Sequence, residues 1–177
     1  MARATSAAPT YFEPALIHSV SGVSYPLVDG GIFANNPAMC AYVEAQDLFY
    51  GSEKNANPDI FILSIGTGSI KKQYEYKKAK DWGALGWVQP LIDMMMSGVS
   101  ETVDYQLRKL FEAFGKPQNY VRIMPELGMA TPEMDDASPQ NLIALKEAGT
   151  MSAEKADAVL DRVVDTLLNT NYNPITV

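Results

Sequence analysis

Residues 23–29 read VSYPLVD, residues 30–37 GGIFANNP and residues 38–50 AMCAYVEAQDLFY, and this stretch decides how the chain is read. The first seven residues have strand character and end at Gly30 and Gly31. Asn36 stands where a helix N-cap belongs, with Pro37 at the first helical position, where a missing N–H costs nothing. The helix is expected to run to about Tyr50 and stop at Gly51. Next, Asn57-Pro58-Asp59 forms a turn before IFILSI, residues 60–65. A continuous apolar run of that length suits a strand covered on both faces, as in a parallel sheet. It ends at Gly66-Thr67-Gly68, and YVRIM, residues 120–124, is a third and shorter strand candidate. Strand, helix and strand joined by short glycine turns imply an α/β sandwich.

The end of the chain is helical. Ala156, Val159, Leu160, Val163, Val164, Leu167 and Leu168 fall on one helical face, with charges opposite and Ser152 as the expected N-cap. A shorter helix is expected from Ser138-Pro139 to Gly149. In the middle, Lys71, Lys72, Lys77, Lys78 and Lys80 crowd ten residues among Tyr74, Glu75 and Tyr76, and Trp82–Val99 (WGALGWVQPLIDMMMSGV) follows. A basic loop before an apolar, Met-rich segment suits contact with an anionic lipid surface. The plainer expectation is a solvated loop followed by a core helix.

Of 177 residues, 47% are hydrophobic and 20% charged, a composition that supports one compact domain over residues 1–177, with a core in 1–125 and a helical tail over 138–170. A net charge of −7 disfavours nucleic-acid binding, which needs a basic surface. The longest run free of charged residues, Pro14–Val28, contains His18, three serines and two prolines, so no transmembrane helix is expected. Residues 1–6 lead into no apolar core of a secretory signal. A single cysteine, Cys40, excludes an internal disulfide and a cysteine-based metal cluster, one histidine, His18, makes a zinc site improbable, and no metal or cofactor is expected.

Asp29-Gly30-Gly31 carries the chemistry. A carboxylate at the carboxyl end of a buried strand lies where α/β folds place reactive groups, and two glycines remove side chains that would block close approach. There an aspartate can act as general base for a serine hydroxyl. The three residues alone also describe an aspartate in a tight turn. Asn35 and Asn36 are placed to order that turn, and capping explains Asn36 without catalysis. Gly66-Thr67-Gly68-Ser69 lacks the G-x-x-x-x-G-K-[ST] pattern of a phosphate loop. Asp135 and Asp136 are expected to decorate a helix start, Met39 and Cys40 to pack, and His18 to be structural or on the surface.

ARATSAAPTYF (residues 2–12), DGG at Asp29, ANNPA (34–38), LSIGTG (63–68) and MDDAS (134–138) together resemble the patatin-like phospholipase family in order and spacing. The resemblance runs from Ala2 to about Gly149. It implies a three-layer α/β/α sandwich, distantly similar to α/β-hydrolases, that hydrolyses phospholipid and other lipid esters with a Ser/Asp dyad and no histidine. Asp29 matches the dyad's aspartate, Gly30, Gly31 and Asn35 form the active-site turn, and Gly66-Thr67-Gly68 is a strand-ending turn near the active-site face.

The chain departs from the family in having no serine in a G-x-S-x-G elbow, where a strained strand-to-helix turn exposes the hydroxyl. Ser24, Ser64 and Ser100 all lack that setting, and the glycine-rich oxyanion loop is missing too. The chain resembles the carboxyl-terminal half of a patatin-like domain. It is expected to be inactive alone and to hydrolyse lipid esters when a complementary amino-terminal polypeptide supplies the serine. The alternative is a catalytically inactive remnant or interaction module. Association with that polypeptide or with itself, a cytoplasmic location and peripheral membrane contact complete the expectation.

Overall fold

The computed structural model describes residues 2–50, 59–69 and 73–169. Gly51, Asn57, Pro58, Lys71, Lys72 and the last residue of the expected tail lie outside them. The chain divides into two compact units, Met1–Ile62 with Tyr74–Tyr120, and Leu63–Gln73 with Val121–Val177.

The first unit opens with Ala2–Thr5 (α1), followed by an antiparallel hairpin of Ala15–His18 (β1) and Ser24–Leu27 (β2), in register from Ala15 opposite Leu27 to His18 opposite Ser24. Gly22 closes the hairpin at φ 81°, a conformation glycine adopts without strain. Ala4, Ala7 and Ala15 are buried together, with Ile17 and Leu27 against them. Side chains of one carbon let α1 lie close to the hairpin.

Two expectations fail at β2. The strand stops at Leu27, two residues short of Asp29, and Ser24, Tyr25 and Pro26 are exposed rather than buried. Its partner is the nearby β1, so the hairpin covers one face with an alanine-sized core and leaves the other bare. Pro26, which has no N–H for a ladder, suits such an edge position.

Gly31–Ala34 (α2), a short helix the sequence reading does not foresee, is followed by Ala38–Tyr50 (α3), which starts as the cap residues predict. Asn36 Oδ1 accepts the Ala38 N–H at 3.2 Å, and the Pro37 carbonyl accepts the Ala41 N–H at 2.9 Å. Met39 packs on the core, but Cys40 is exposed, against expectation, because successive helix positions point 100° apart. Tyr76–Ala79 (α4) precedes Gly83–Ala113 (α5), a helix of 31 residues with Pro90 inside it. Ala38, Tyr42, Leu107, Phe111 and Tyr120 form the main core of this unit. Phe111 meets Tyr42 edge-on at 5.8 Å and stacks with Tyr120 at 6.1 Å, both within the range of favourable aromatic pairs.

The core-helix expectation for Trp82–Val99 is overturned. Only Ser100, Leu107 and Phe111 of α5 are buried, and Leu85, Val88, Leu91 and Met95 are exposed. The packed part of the helix begins where the helix reaches α2, at Met96 and Ser100.

In the second unit, Ile62–Ile65 (β3) and Tyr120–Ile123 (β4), whose first residues belong to the first unit, form a two-stranded sheet. A parallel bridge of Ser69 to Glu126 extends it. The IFILSI run is not covered on both faces: Ile62 and Leu63 are half-buried and Ile65 is 65% exposed, since among the described residues β3 has one neighbouring strand. After β3 the chain turns through Gly66 and Gly68, and a Cβ at Gly68 would collide with Leu127 Cδ2.

Pro139–Lys155 (α6) is capped by Ser138, whose Oγ accepts the Asn141 N–H. Asp136 supports that start, accepting the Ser138 N–H and the Thr131 hydroxyl, both at 3.0 Å. These hydrogen bonds, from Ser138 first, hold the Asp136 carboxyl below its ordinary value. The helix passes through Gly149, where no neighbour crowds the glycine, and Ser152 lies inside it rather than capping the next one. The break falls at Ala156, and Asp157–Asn169 (α7) follows. The elements are α/β in kind, as the sequence implies. No helix among the described residues is long and apolar enough to cross a membrane.

Candidate functional site

Asp29 sits half-buried between β2 and α2, and four backbone contacts fix the turn around it. Its N–H donates to the Ala7 carbonyl at 3.0 Å, and its own carbonyl accepts the Ile32 N–H at 3.2 Å. The Gly30 N–H donates to the Thr5 carbonyl at 3.4 Å. The Gly31 N–H donates to Asp29 Oδ1 at 2.6 Å, a charge-assisted contact that locks the carboxylate against the start of α2. Among the described residues, Oδ2 accepts no hydrogen bond.

The two glycines differ in what they permit. A Cβ on Gly30 would stand 3.4 Å from Thr5 Oγ1, an ordinary contact. A Cβ on Gly31 would fall 2.9 Å from Asp29 Oδ1 and 3.7 Å from Met96 Cε. Gly31 is therefore the position where a side chain would displace the carboxylate. Its need is for space.

The two asparagines tie this turn to α5. Asn35 Nδ2 donates to the Met96 carbonyl at 3.4 Å, and Asn36 Nδ2 donates to the Ser100 carbonyl at 3.3 Å. Asn36 is 1% exposed and also caps α3, so one side chain serves both as cap and as bridge. Met96 and Ser100 were not legible as neighbours of Asp29. They lie more than sixty residues away, and no local spacing marks them. The one available signal was the pair of adjacent asparagines, of which capping uses one.

The remaining candidates lie apart from this turn. His18 is exposed on the hairpin, its Nδ1 sharing a 2.8 Å hydrogen bond with Ser24 Oγ across the strands. That agrees with a surface role. Ser64 is buried and accepts a hydrogen bond from Arg122 Nη1 at 2.6 Å. Asp136 is occupied with the start of α6. No group of three or more His, Cys, Asp or Glu side chains suited to a metal occurs among the described residues.

The Asp29 turn can hold one carboxylate oxygen by a backbone donor and offer the other to a hydroxyl. No serine hydroxyl among the described residues bonds to it.

No family model matches the chain. Among individual proteins it is similar to "Patatin-like protein 2" of Oryza sativa subsp. indica, 33% identical over 172 residues and covering 85% of this chain. "Patatin-like protein 2" of Arabidopsis thaliana is 33% identical over 84% of this chain, and "Probable inactive patatin-3-Kuras 1" of Solanum tuberosum is 34% identical over 86%. The matches span 42%, 41% and 44% of those proteins, so the chain covers less than half the length of the relatives it matches.

Proposed function

This chain belongs to the patatin-like family, and from that membership we propose that it supplies the general base of a lipid acyl hydrolase, Asp29, to a serine on another polypeptide segment. The observation that carries the reading is the asymmetry of the carboxylate. Oδ1 is held by the Gly31 N–H, and Oδ2 is left to take a proton.

In the proposed reaction Oδ2 removes the serine proton as the hydroxyl oxygen attacks the carbonyl carbon of a lipid ester. The tetrahedral intermediate collapses, the alcohol leaves with the proton from Asp29, and an acyl-serine remains. Water then gives a proton to Asp29 and adds to the acyl carbon. Collapse releases the fatty acid and returns the proton to serine. Gly30, Gly31 and Asn35 shape the turn, and Met96, close to Gly31, is placed to line the acyl chain.

The exposed Tyr25, Val28, Ile32 and Phe33 surround Asp29 in sequence, and such apolar exposure supports a complementary segment seated there. A second copy of this chain is the competing occupant. A second function is also favoured by a specific observation: one relative is named a probable inactive patatin. On that reading the chain is an inactive module that keeps the packing.

Hydrolysis of a fluorogenic acyl ester separates these. The chain alone is expected to be inactive, and adding the amino-terminal half of a patatin-like domain in trans is expected to restore activity. Asp29→Asn should abolish it, by at least ~100-fold for loss of a general base. An inactive reconstituted pair supports the inactive module, and a pair that keeps its activity with Asp29→Asn rules out Asp29 as the base.

A further inference from the structure

Asp29-Gly30 is the one Asp-Gly pair in the sequence, which contains no Asn-Gly pair. Such a dipeptide has a reactivity of its own, separate from any ester hydrolysis. With no Cβ on the following residue, the Gly30 backbone nitrogen can approach Asp29 Cγ and close a five-membered ring. Gly30 is exposed, so water reaches the nitrogen that must give up its proton, and Asp29 beside it is half-buried.

The turn engages both reacting groups. The Gly31 N–H donates to Asp29 Oδ1 at 2.6 Å, which holds the carboxyl to Gly31 and stops it rotating. The Gly30 N–H donates to the Thr5 carbonyl at 3.4 Å, a longer bond that keeps the proton on the attacking nitrogen. Ring closure needs both contacts to open. The contact to Oδ1 is the stronger restraint, being short and charge-assisted. A Cβ on Gly31 would fall 2.9 Å from that same Oδ1, so a side chain there would break it.

We propose that the Asp29–Gly30 bond is a self-modification site, where aspartate isomerises to isoaspartate, and that the Gly31–Oδ1 hydrogen bond restrains it. In the first step the Gly30 nitrogen bonds to Cγ while one Cγ–O bond of the protonated carboxyl breaks. The departing hydroxyl leaves as water with the Gly30 proton, and a cyclic imide remains. Water then adds to the imide. Opening at Cγ restores aspartate. Opening at the Asp29 main-chain carbonyl breaks its bond to Gly30, routes the backbone through Cβ and Cγ, and leaves a carboxylate directly on Cα. The product has one more backbone carbon between the Asp29 N–H, which meets Ala7, and the Gly30 N–H, which meets Thr5. The spacing of that pair of contacts is lost. This chemistry stands whether or not Asp29 is a catalytic base.

Isoaspartate is read by peptide mass mapping and by labelling with an isoaspartyl methyltransferase, and neither readout depends on hydrolase activity. The intact chain is aged at neutral pH in buffer and in urea. Isoaspartate at position 29 should accumulate at least ~10-fold faster in urea, the factor that losing a hydrogen bond to a charged group supplies. Gly31→Ala, shown to be folded by circular dichroism, should approach the urea rate in buffer. Gly30→Ala, whose Cβ would stand an ordinary 3.4 Å from Thr5 Oγ1, should slow the reaction in urea. If Gly31→Ala does not fold, amide exchange of Gly31 in the parent decides, since low urea should speed exchange and isomerisation together. No isoaspartate at position 29 in urea, or equal rates in buffer and urea, overturns the proposal. So does a folded Gly31→Ala as slow as the parent, or isomerisation that does not follow Gly31 exchange.

Discussion

The two halves of α5 are both rich in apolar residues, yet they meet different surroundings. Residues 100–113 bury Leu107 and Phe111 against Tyr42 and Tyr120, while residues 83–99 leave Leu85, Val88, Leu91 and Met95 uncovered. Helical periodicity is present in both, so it cannot distinguish them. What differs is the partner: Tyr42 of α3 and Tyr120 pack with Leu107 and Phe111 of the second half, and the Asn35–Asn36 turn meets the helix near the boundary. Apolar patterning thus shows that a helix has a face to cover without showing what covers it.

The largest contrast is expected at the core positions. Phe111→Ala removes a fully buried ring and should destabilise by about 3–5 kcal/mol, whereas Leu91→Ala should stay within about 0.5 kcal/mol, as judged by denaturant unfolding. Equal costs at the two positions would break the comparison.

At the boundary, Asn36→Ala leaves the Ser100 carbonyl and the Ala38 N–H without their side-chain partner and should cost about 1–3 kcal/mol. Asn35→Ala removes one longer, exposed contact and should cost less than half as much. Proteolysis of α5 around Met96 after each substitution would sharpen where the packed half begins.

The smallest effect lies in the other unit, where it serves as a control. The folded Asp136 carboxyl lies below its unfolded value of about 3.8, so its contribution is present above that pH and is lost as pH falls through the folded value. Acid unfolding of Asp136→Asn should accordingly be less steep at low pH than that of the parent. The same variant should leave the α5 contrast unchanged.

Legibility followed the range of the interaction. Asn36-Pro37 and Ser138-Pro139 each announce a helix start within a few residues, and both helices begin there. The strand before Asp29 was legible as a strand. Its exposure was not, because that depends on its pairing with β1, a segment no strand signal had marked. Gly149 reads as a stop, yet α6 continues through it, since a glycine costs a helix only about 1 kcal/mol. Asp29, Gly30 and Gly31 were legible as a turn, and their family setting came from the order of several motifs together. The tie from the asparagines to Met96 and Ser100 was hidden by sequence distance.

Ala4, Ala7 and Ala15 give the ARATSAAP segment a mechanical meaning. The Ala7 carbonyl that receives the Asp29 N–H belongs to a layer only one methyl thick, so β1, β2 and the carboxylate are gauged from the same thin shim. A bulkier residue at position 4, 7 or 15 would act as a wedge and tilt the hairpin. Its effect would then reach a carboxylate it never touches.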